Sequence, residues 1–258
     1  MRISVVMAYY DRPQQLGVTL DTYRHWYTGL DYEVVIIDDG SPGQVSDLNT
    51  LASERLPGVP VHIERYERPP GGIAKNPGPL YNLGVSRAKG DLILLTNPEN
   101  AHIGPVLQVA ADTARSGQYL VFGCLTLYTV TSAKDLLANP GAFVDRSQLP
   151  HGYYQHSRWS NRLLHFAAAV HREDFLRIGG FVPAYDSGDA FEDNDLAERV
   201  ARDLDVVVID DPVVGHQAHG RHTPAREAYR MNHLAFRSRW GRNPGEFVRS
   251  PEGRWVPR

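Results

Sequence analysis

Apolar residues run along the first hundred positions in two rhythms. Ile3-Ser4-Val5-Val6-Met7-Ala8, Val34-Val35-Ile36-Ile37 and Leu92-Ile93-Leu94-Leu95 are short, nearly unbroken apolar runs, the pattern of strands buried on both faces. Leu16, Leu20, Tyr23 and Tyr27 instead recur at three- and four-residue spacing, which gives a helix one apolar stripe. Pro13 suits the first turn of that helix, where its missing N–H would have been unpaired anyway. The same reading predicts helices over 45–55, 80–88 and 103–115, and strands over 59–66, 119–125, 166–170 and 206–209. A helical turn or two follows at 171–178, broken sharply by Gly179-Gly180-Phe181, and a basic helix is expected over 224–240 with an extended end beyond Gly241. Residues 132–162, rich in aromatics such as Tyr153, Tyr154, His156 and Trp159, show no clean period. The alternation of strand and helix predicts an α/β fold.

Polar residues gather where the strands stop. In open α/β sheets, ligands bind at the carboxyl ends of the strands, so these loops are the first place to look for chemistry. Tyr9-Tyr10-Asp11-Arg12 follows the first strand and mixes rings with charge, a combination that stacks and hydrogen-bonds a base. Asp38-Asp39-Gly40-Ser41 follows the second; its acids either build an Asx-turn or accept a hydrogen bond from a nucleobase or ribose. Asn97-Pro98-Glu99-Asn100 stops the strand at Leu92 and reads either as a plain turn or as a lone carboxylate placed for a metal or a substrate. The Gly- and Pro-dense stretch from Pro69 to Pro79 is a loop without the Gly-Lys-Ser/Thr ending of a phosphate-binding loop. Glu192, Asp193 and Asp195 fall in or just before the first turn of a helix carrying Leu196, Val200 and Leu204 on one face. Helix capping explains one or two acids there, and one of the three is a candidate general base. His216, His219 and His222 are spaced by three, and neutral imidazole is a frequent metal ligand.

Composition narrows the setting. A chain of 258 residues with 42% hydrophobic content can bury a full core, and no run approaches the roughly 18 apolar residues of a membrane span. A single cysteine, Cys124, forms no internal disulfide, and its apolar neighbours suggest a buried thiol. With no basic and apolar leader ahead of Ile3, the expected setting is cytoplasmic. The net charge is −3, but Arg221 to Arg258 holds nine Arg, no Lys and three Glu, a net +6 that leaves −9 for residues 1–220. That tail is either a solvated basic end or a surface that meets phosphates of a donor, lipid or nucleic acid.

Taken together, the motifs resemble the GT-A-fold glycosyltransferases of family 2 from about residue 2 to residue 222. The resemblance rests on Ala8-Tyr9-Tyr10-Asp11-Arg12 after the first strand, Asp38-Asp39-Gly40-Ser41, Tyr81-Asn82-Leu83-Gly84-Val85 with Ala88-Lys89-Gly90-Asp91, and Gly179-Gly180-Phe181 followed by Glu192-Asp193-Asn194-Asp195-Leu196, in that order. It implies a mostly parallel central sheet flanked by helices, with residues 1–100 binding a nucleotide sugar, residues 101–222 binding an acceptor, and residues 223–258 as a basic helical extension. It further implies an inverting transfer from a nucleotide diphosphate sugar, a UDP-sugar favoured, to a glycan or other hydroxyl, a modified DNA base among them. Asp39 would hold the base, with Ala8, Tyr9, Arg12, Lys75, Asn82 and Asn97 completing the donor pocket. Asp193 would deprotonate the acceptor and Glu192 would orient it.

The family's usual Asp-any-Asp after the fourth strand is replaced here by Asn97-Pro98-Glu99, and its frequent Arg before Asn by Tyr81. Mn²⁺ or Mg²⁺ would then rest on Glu99 with His216 and His219, and Lys75 or a tail Arg would meet the diphosphate. Two other readings are a non-catalytic nucleotide- or sugar-binding protein on the same fold and a nucleotidyltransferase.

Overall fold

The computed structural model describes residues 1–68, 76–128, 132–140, 152–220 and 226–258. The first half contains β1 (Ile3–Tyr9), α1 (Pro13–Trp26), β2 (Tyr32–Asp38), α2 (Val45–Arg55), β3 (Val61–Arg65), α3 (Gly78–Arg87) and β4 (Leu92–Thr96). β1 is central, parallel to β2 on one side and β4 on the other, and β3 continues the parallel set beside β2. Every residue of β2 and β4 is buried. These unbroken apolar runs are covered on both faces: Val5, Met7, Val34 and Ile36 pack toward α1, and Val6, Val35 and Ile37 toward α3.

The second half contains β5 (Asn100–Ile103), α4 (Val106–Thr113), β6 (Gln118–Thr126), α5 (Ala133–Ala138), β7 (Tyr153–Gln155), β8 (Ala167–His171) and α6 (Arg172–Arg177). It continues through a 3₁₀ turn at Pro183–Tyr185, α7 (Glu192–Asp203), β9 (Asp205–His216), α8 (Arg226–Trp240) and the hairpin of β10 (Phe247–Arg249) and β11 (Trp255–Pro257). Among the described residues one sheet of nine strands runs β3-β2-β1-β4-β8-β6-β9-β5, with β7 on β6. The expected parallel character holds from β3 to β4 and again for β6 beside β9, whereas β8 runs antiparallel to β4 and β6, and β5 to β9.

Three elements differ from the pattern read along the chain. Asn100-Ala101-His102-Ile103 is a buried strand rather than the approach to a helix, which starts at Val106. Contacts from far along the chain hold it there: the Asn100 amide donates to the Phe166 carbonyl, and the His102 N–H to Thr22 Oγ1 at 3.0 Å. β9 does not end at Ile209 but runs through Asp210-Asp211-Pro212 to His216. It does so because the register against β6 jumps from Phe122↔Ile209 to Gly123↔Val213, so the proline sits in a bulge where no ladder N–H is required. The end beyond Gly241 is a hairpin whose Phe247 and Trp255 enter the core beside α7, with Trp255 Nε1 donating to the Val206 carbonyl at 3.1 Å.

Close approach of α3 to the sheet depends on Gly84. A methyl there would overlap Val6 Cγ1 and press within 3.4 Å of Ile37 Cγ1. Gly84→Ala should therefore destabilise the protein by about 1–3 kcal/mol through overpacking, although alanine is the better helix former. Urea unfolding checks this, and a midpoint equal to or above that of the native chain would refute the packing argument.

Candidate functional site

Parallel register aligns the ends of β1 and β2 and pairs Met7 with Thr96, so the loops after β1, β2 and β4 converge. They enclose a cavity of about 650 Å³, within the size range of small-ligand sites. Ala8, Tyr9, Arg12, Asp39, Asn97 and Glu99 all line it, as does His219. Tyr9 is buried, and its hydroxyl accepts the Arg12 N–H at 3.0 Å, so it shapes the loop; Tyr10 is the ring exposed at the cavity. The two adjacent acids separate cleanly. Asp38 is the turn former, accepting Ser41 N–H at 3.1 Å and Arg65 Nε at 2.9 Å. Asp39 faces the cavity, and both of its oxygens are gripped by Arg68, Nη2 donating to Oδ2 at 2.7 Å.

Pairing of β5 with β9 sets Asn100 opposite His216, and the Gln217 N–H bonds the Glu99 carbonyl at 3.0 Å. Glu99 Oε1 consequently lies 3.5 Å from His216 Nε2 and 3.6 Å from His219 Nε2. One ligand atom from each of these three residues falls within 4.8 Å of the others. Arg12 Nη1 approaches the same Oε1 at 2.5 Å. Burial works to raise the Glu99 carboxyl, but His216 and Arg12 outweigh it and hold the group at about 2. Burial lowers His219, which favours the neutral imidazole a metal requires. Glu99 Oε2 is buried without a hydrogen-bond partner. A carboxylate with a spare oxygen and two imidazoles fits Mn²⁺ better than Mg²⁺, which prefers an all-oxygen shell. Asn97 stands apart from this group, its Oδ1 accepting the Tyr81 hydroxyl at 2.6 Å.

The second set of acids opens α7. Ala190 and Phe191, at φ of 62° and 72°, are both left-handed just before the helix, a conformation that costs non-glycine residues energy and has to be held by its surroundings. Asn232 of α8 holds it, donating to the Ala190 carbonyl at 2.8 Å and to that of Tyr185 at 2.9 Å. Phe191 packs with Tyr185 and Phe236. Glu192 is buried and accepts Asn76 Nδ2 at 2.9 Å; burial, with the charge of Asp193 adding to it, pushes its carboxyl up to about 8. Asp193 is half-buried and also raised by burial, with Arg162 pulling the other way. Asp195 is turned inward, accepting Arg199 Nε at 2.7 Å, Trp240 Nε1 at 2.8 Å and Arg239 Nε at 2.9 Å. The buried Tyr81 hydroxyl is raised chiefly by desolvation, with the charges of Glu99, Glu192 and Asp193 adding to it, so it senses both acidic centres.

Asn82 is corrected: its amide donates to the Phe181 carbonyl at 2.7 Å and accepts the Phe181 N–H at 2.9 Å, which makes it a clamp on the Gly180 turn rather than a cavity residue. Lys75 and His222 lie outside the described residues. The basic tail is committed in part to the acids of α7, through Arg239 to Asp195 and Arg242 to Glu198. Arg68, Asn76 and Gln217 were not singled out in the sequence. Each works through a side chain that meets a residue far along the chain, and no local pattern marks them. Among the described residues, no helix is long and apolar enough to cross a membrane.

The family model for glycosyl transferase family 2 matches residues 4–168. Among curated proteins no sequence matches. Among solved structures, the chain is similar to the mannosyltransferase PcManGT from Pyrobaculum calidifontis in complex with GDP-Man and Mn²⁺, at 18% identity and a TM-score of 0.56. That likeness covers 85% of this chain and 58% of the other. It is also similar to TarS 1-349 of S. aureus, at 13% identity and a TM-score of 0.57 over 84% of this chain and 60% of that one. TarS 1-349 in complex with UDP-GlcNAc gives 14% identity and a TM-score of 0.55 over 86% and 60%. The chain thus spans about three fifths of the length of these structures, and likeness at such identities speaks for the fold. With the family model matching well over half of its residues, the chain belongs to glycosyl transferase family 2 and has the GT-A fold.

Proposed function

We propose that the chain moves a sugar from a nucleotide diphosphate sugar to an acceptor hydroxyl with inversion, using a divalent ion held by Glu99, His216 and His219 and Asp193 as general base. The observation that carries this reading is the cluster of Glu99, His216 and His219 beside the cavity, a set of ligand atoms within 4.8 Å of one another, together with the buried acids that open α7. Nucleotide sugars and Mn²⁺ in the solved structures of similar fold support it. A bound ion would supply Lewis-acid charge for the departing diphosphate. Asp39 accepts from the base and Tyr10 offers the exposed ring, while Tyr9 fixes the loop that carries them. At the other centre, Glu192 is kept protonated at neutral pH by its burial, which leaves one negative charge beside the acceptor. Asp193, raised by its burial and partly exposed, takes the proton of the attacking hydroxyl.

Calorimetric titration of UDP, GDP and dTDP with Mn²⁺, then with EDTA, tests the donor side. One nucleotide is expected to bind only with metal, and Glu99→Ala is expected to abolish that dependence; binding of none would overturn the reading. Asp193→Asn should lose roughly 10²- to 10⁴-fold in turnover with donor affinity kept. Release of pyrophosphate instead of nucleoside diphosphate would assign the chain to nucleotidyl transfer, and donor binding without turnover in the native chain to a binding protein.

A carboxyl at about 8 in the folded state against an unfolded value of about 4.3 means that the native form holds an extra proton between those values. Stability should fall as pH rises across that window. Glu192→Gln keeps an acceptor for Asn76 and removes the titration, so its stability relative to the native chain should climb from pH 5 to pH 9. Urea midpoints at pH 5, 7 and 9 read this directly, and a constant difference would show that Glu192 does not hold its proton.

A further inference from the structure

Arg12 draws on the same oxygen a metal ion needs. Its Nη1 lies 2.5 Å from Glu99 Oε1, the atom that also stands nearest His216 and His219. A guanidinium and a divalent ion on one carboxylate oxygen repel each other, so an ion drawn to Oε1, the oxygen nearest both imidazoles, competes there with Arg12. The main chain of Arg12 is fixed, its N–H on the Tyr9 hydroxyl at 3.0 Å and its carbonyl accepting the Leu16 N–H at 3.0 Å. Its side chain is about a quarter exposed, and among the described residues the guanidinium is bonded to Glu99 alone. It is also the only arginine or lysine among the described residues lining the cavity, because Arg68 is engaged on Asp39 behind it.

We infer that Arg12 is a cation that changes partners: it neutralises Glu99 in the metal-free protein, and when a divalent ion takes that oxygen it turns to the diphosphate of the donor. This rests on the metal-assisted reading above and adds the group that meets the diphosphate, where the sequence offers Tyr81 in place of a cation. The physical requirement is charge balance. A buried carboxylate needs a compensating cation, and a diphosphate needs more positive charge than an ion partly neutralised by Glu99 provides. A planar guanidinium suits phosphate oxygens through paired N–H donors. One side chain serves both demands in turn, so Arg12 lowers affinity for the ion alone and raises affinity for the diphosphate once the ion is in place.

The test uses Arg12→Gln and Arg12→Lys in the full chain, with Mn²⁺ alone followed by electron paramagnetic resonance of the free ion, and inorganic pyrophosphate titrated calorimetrically at saturating Mn²⁺. Arg12→Gln should bind Mn²⁺ tighter by roughly tenfold, within the usual range of coupling between sites, and pyrophosphate weaker by a similar factor. Arg12→Lys keeps the charge and loses the fork, so its Mn²⁺ affinity should stay near native while pyrophosphate weakens by less than in Arg12→Gln. If Arg12→Gln binds Mn²⁺ no tighter than the native chain, Arg12 only braces Glu99 and the exchange is wrong. Unchanged pyrophosphate affinity in both variants overturns the diphosphate role. Should Arg12→Gln fail to fold, a Mn²⁺ affinity well below native in Arg12→Lys overturns the proposal by itself. A native chain that binds no Mn²⁺ overturns this inference and the metal-assisted function together, which separates that failure from the others.

Discussion

Glu99 is 3% exposed yet held as a full negative charge, and a buried carboxylate is tolerated only where cations and donors surround it. Three separate parts of the chain meet that demand. Arg12 comes from the loop after β1, His216 from the end of β9, and His219 from the segment that follows. The backbone is tied at the same point: Gln217 Nε2 donates to the Gln15 carbonyl at 3.0 Å, to Thr19 Oγ1 at 3.1 Å and to the Glu99 carbonyl at 3.2 Å, while Thr19 Oγ1 donates to the Pro98 carbonyl at 2.8 Å. Helix α1, the turn after β4 and the end of β9 are thereby locked around one charge. Moving any of them leaves either a buried carboxylate without its cations or a buried carbonyl without its donor.

The other acidic centre is held from behind. Asp195, fully buried, collects donors from Arg199, Arg239 and Trp240, which joins α7 to α8. Arg199 in turn donates to the Ile178 carbonyl at 2.8 Å and to that of Gly180 at 2.5 Å, so the turn at Gly179-Gly180 is fixed by the same network. Asn82 grips Phe181 from the opposite side. Glu192 and Asp193 therefore project from a helix end whose position is set by a buried ion pair, a basic C-terminal helix and a clamped glycine turn. The arginines of the tail that reach α7 act as structural cations, and Arg226, Arg230 and Arg237 remain on the exposed side of α8.

The two centres are joined through the donor loop as well as through Tyr81. Arg68 donates to Asp39 and, at 3.1 Å, to the Asn76 carbonyl, and the Asn76 side chain holds Glu192. The Asp39 carboxylate at the cavity is thus engaged by Arg68, which also bonds the residue that holds an acid of the second centre.

The sequence by itself determined the parallel core and the places where its loops converge. Unbroken apolar runs such as Leu92–Leu95 are stable only with both faces covered, and Asn97-Pro98 ends that strand wherever it lies, so Glu99 at a strand tip followed from local chemistry. The cluster at Glu192-Asp193-Asn194-Asp195 was visible because three acids exceed what a cap needs, while Asp38-Asp39 stayed open between a turn and a ligand contact. Which way each of these acids faces depends on contacts across the fold. Asp38 and Asp39 differ only in which side of a turn they face, and Glu192, Asp193 and Asp195 only in their angle around one helix end, and both depend on distant partners such as Arg65, Arg68 and Trp240. The meeting of Glu99 with His216 was equally out of reach of local pattern. It follows from the pairing of β5 with β9, and β5 is built from Asn, Ala, His and Ile and anchored by Phe166 and Thr22, residues far along the chain.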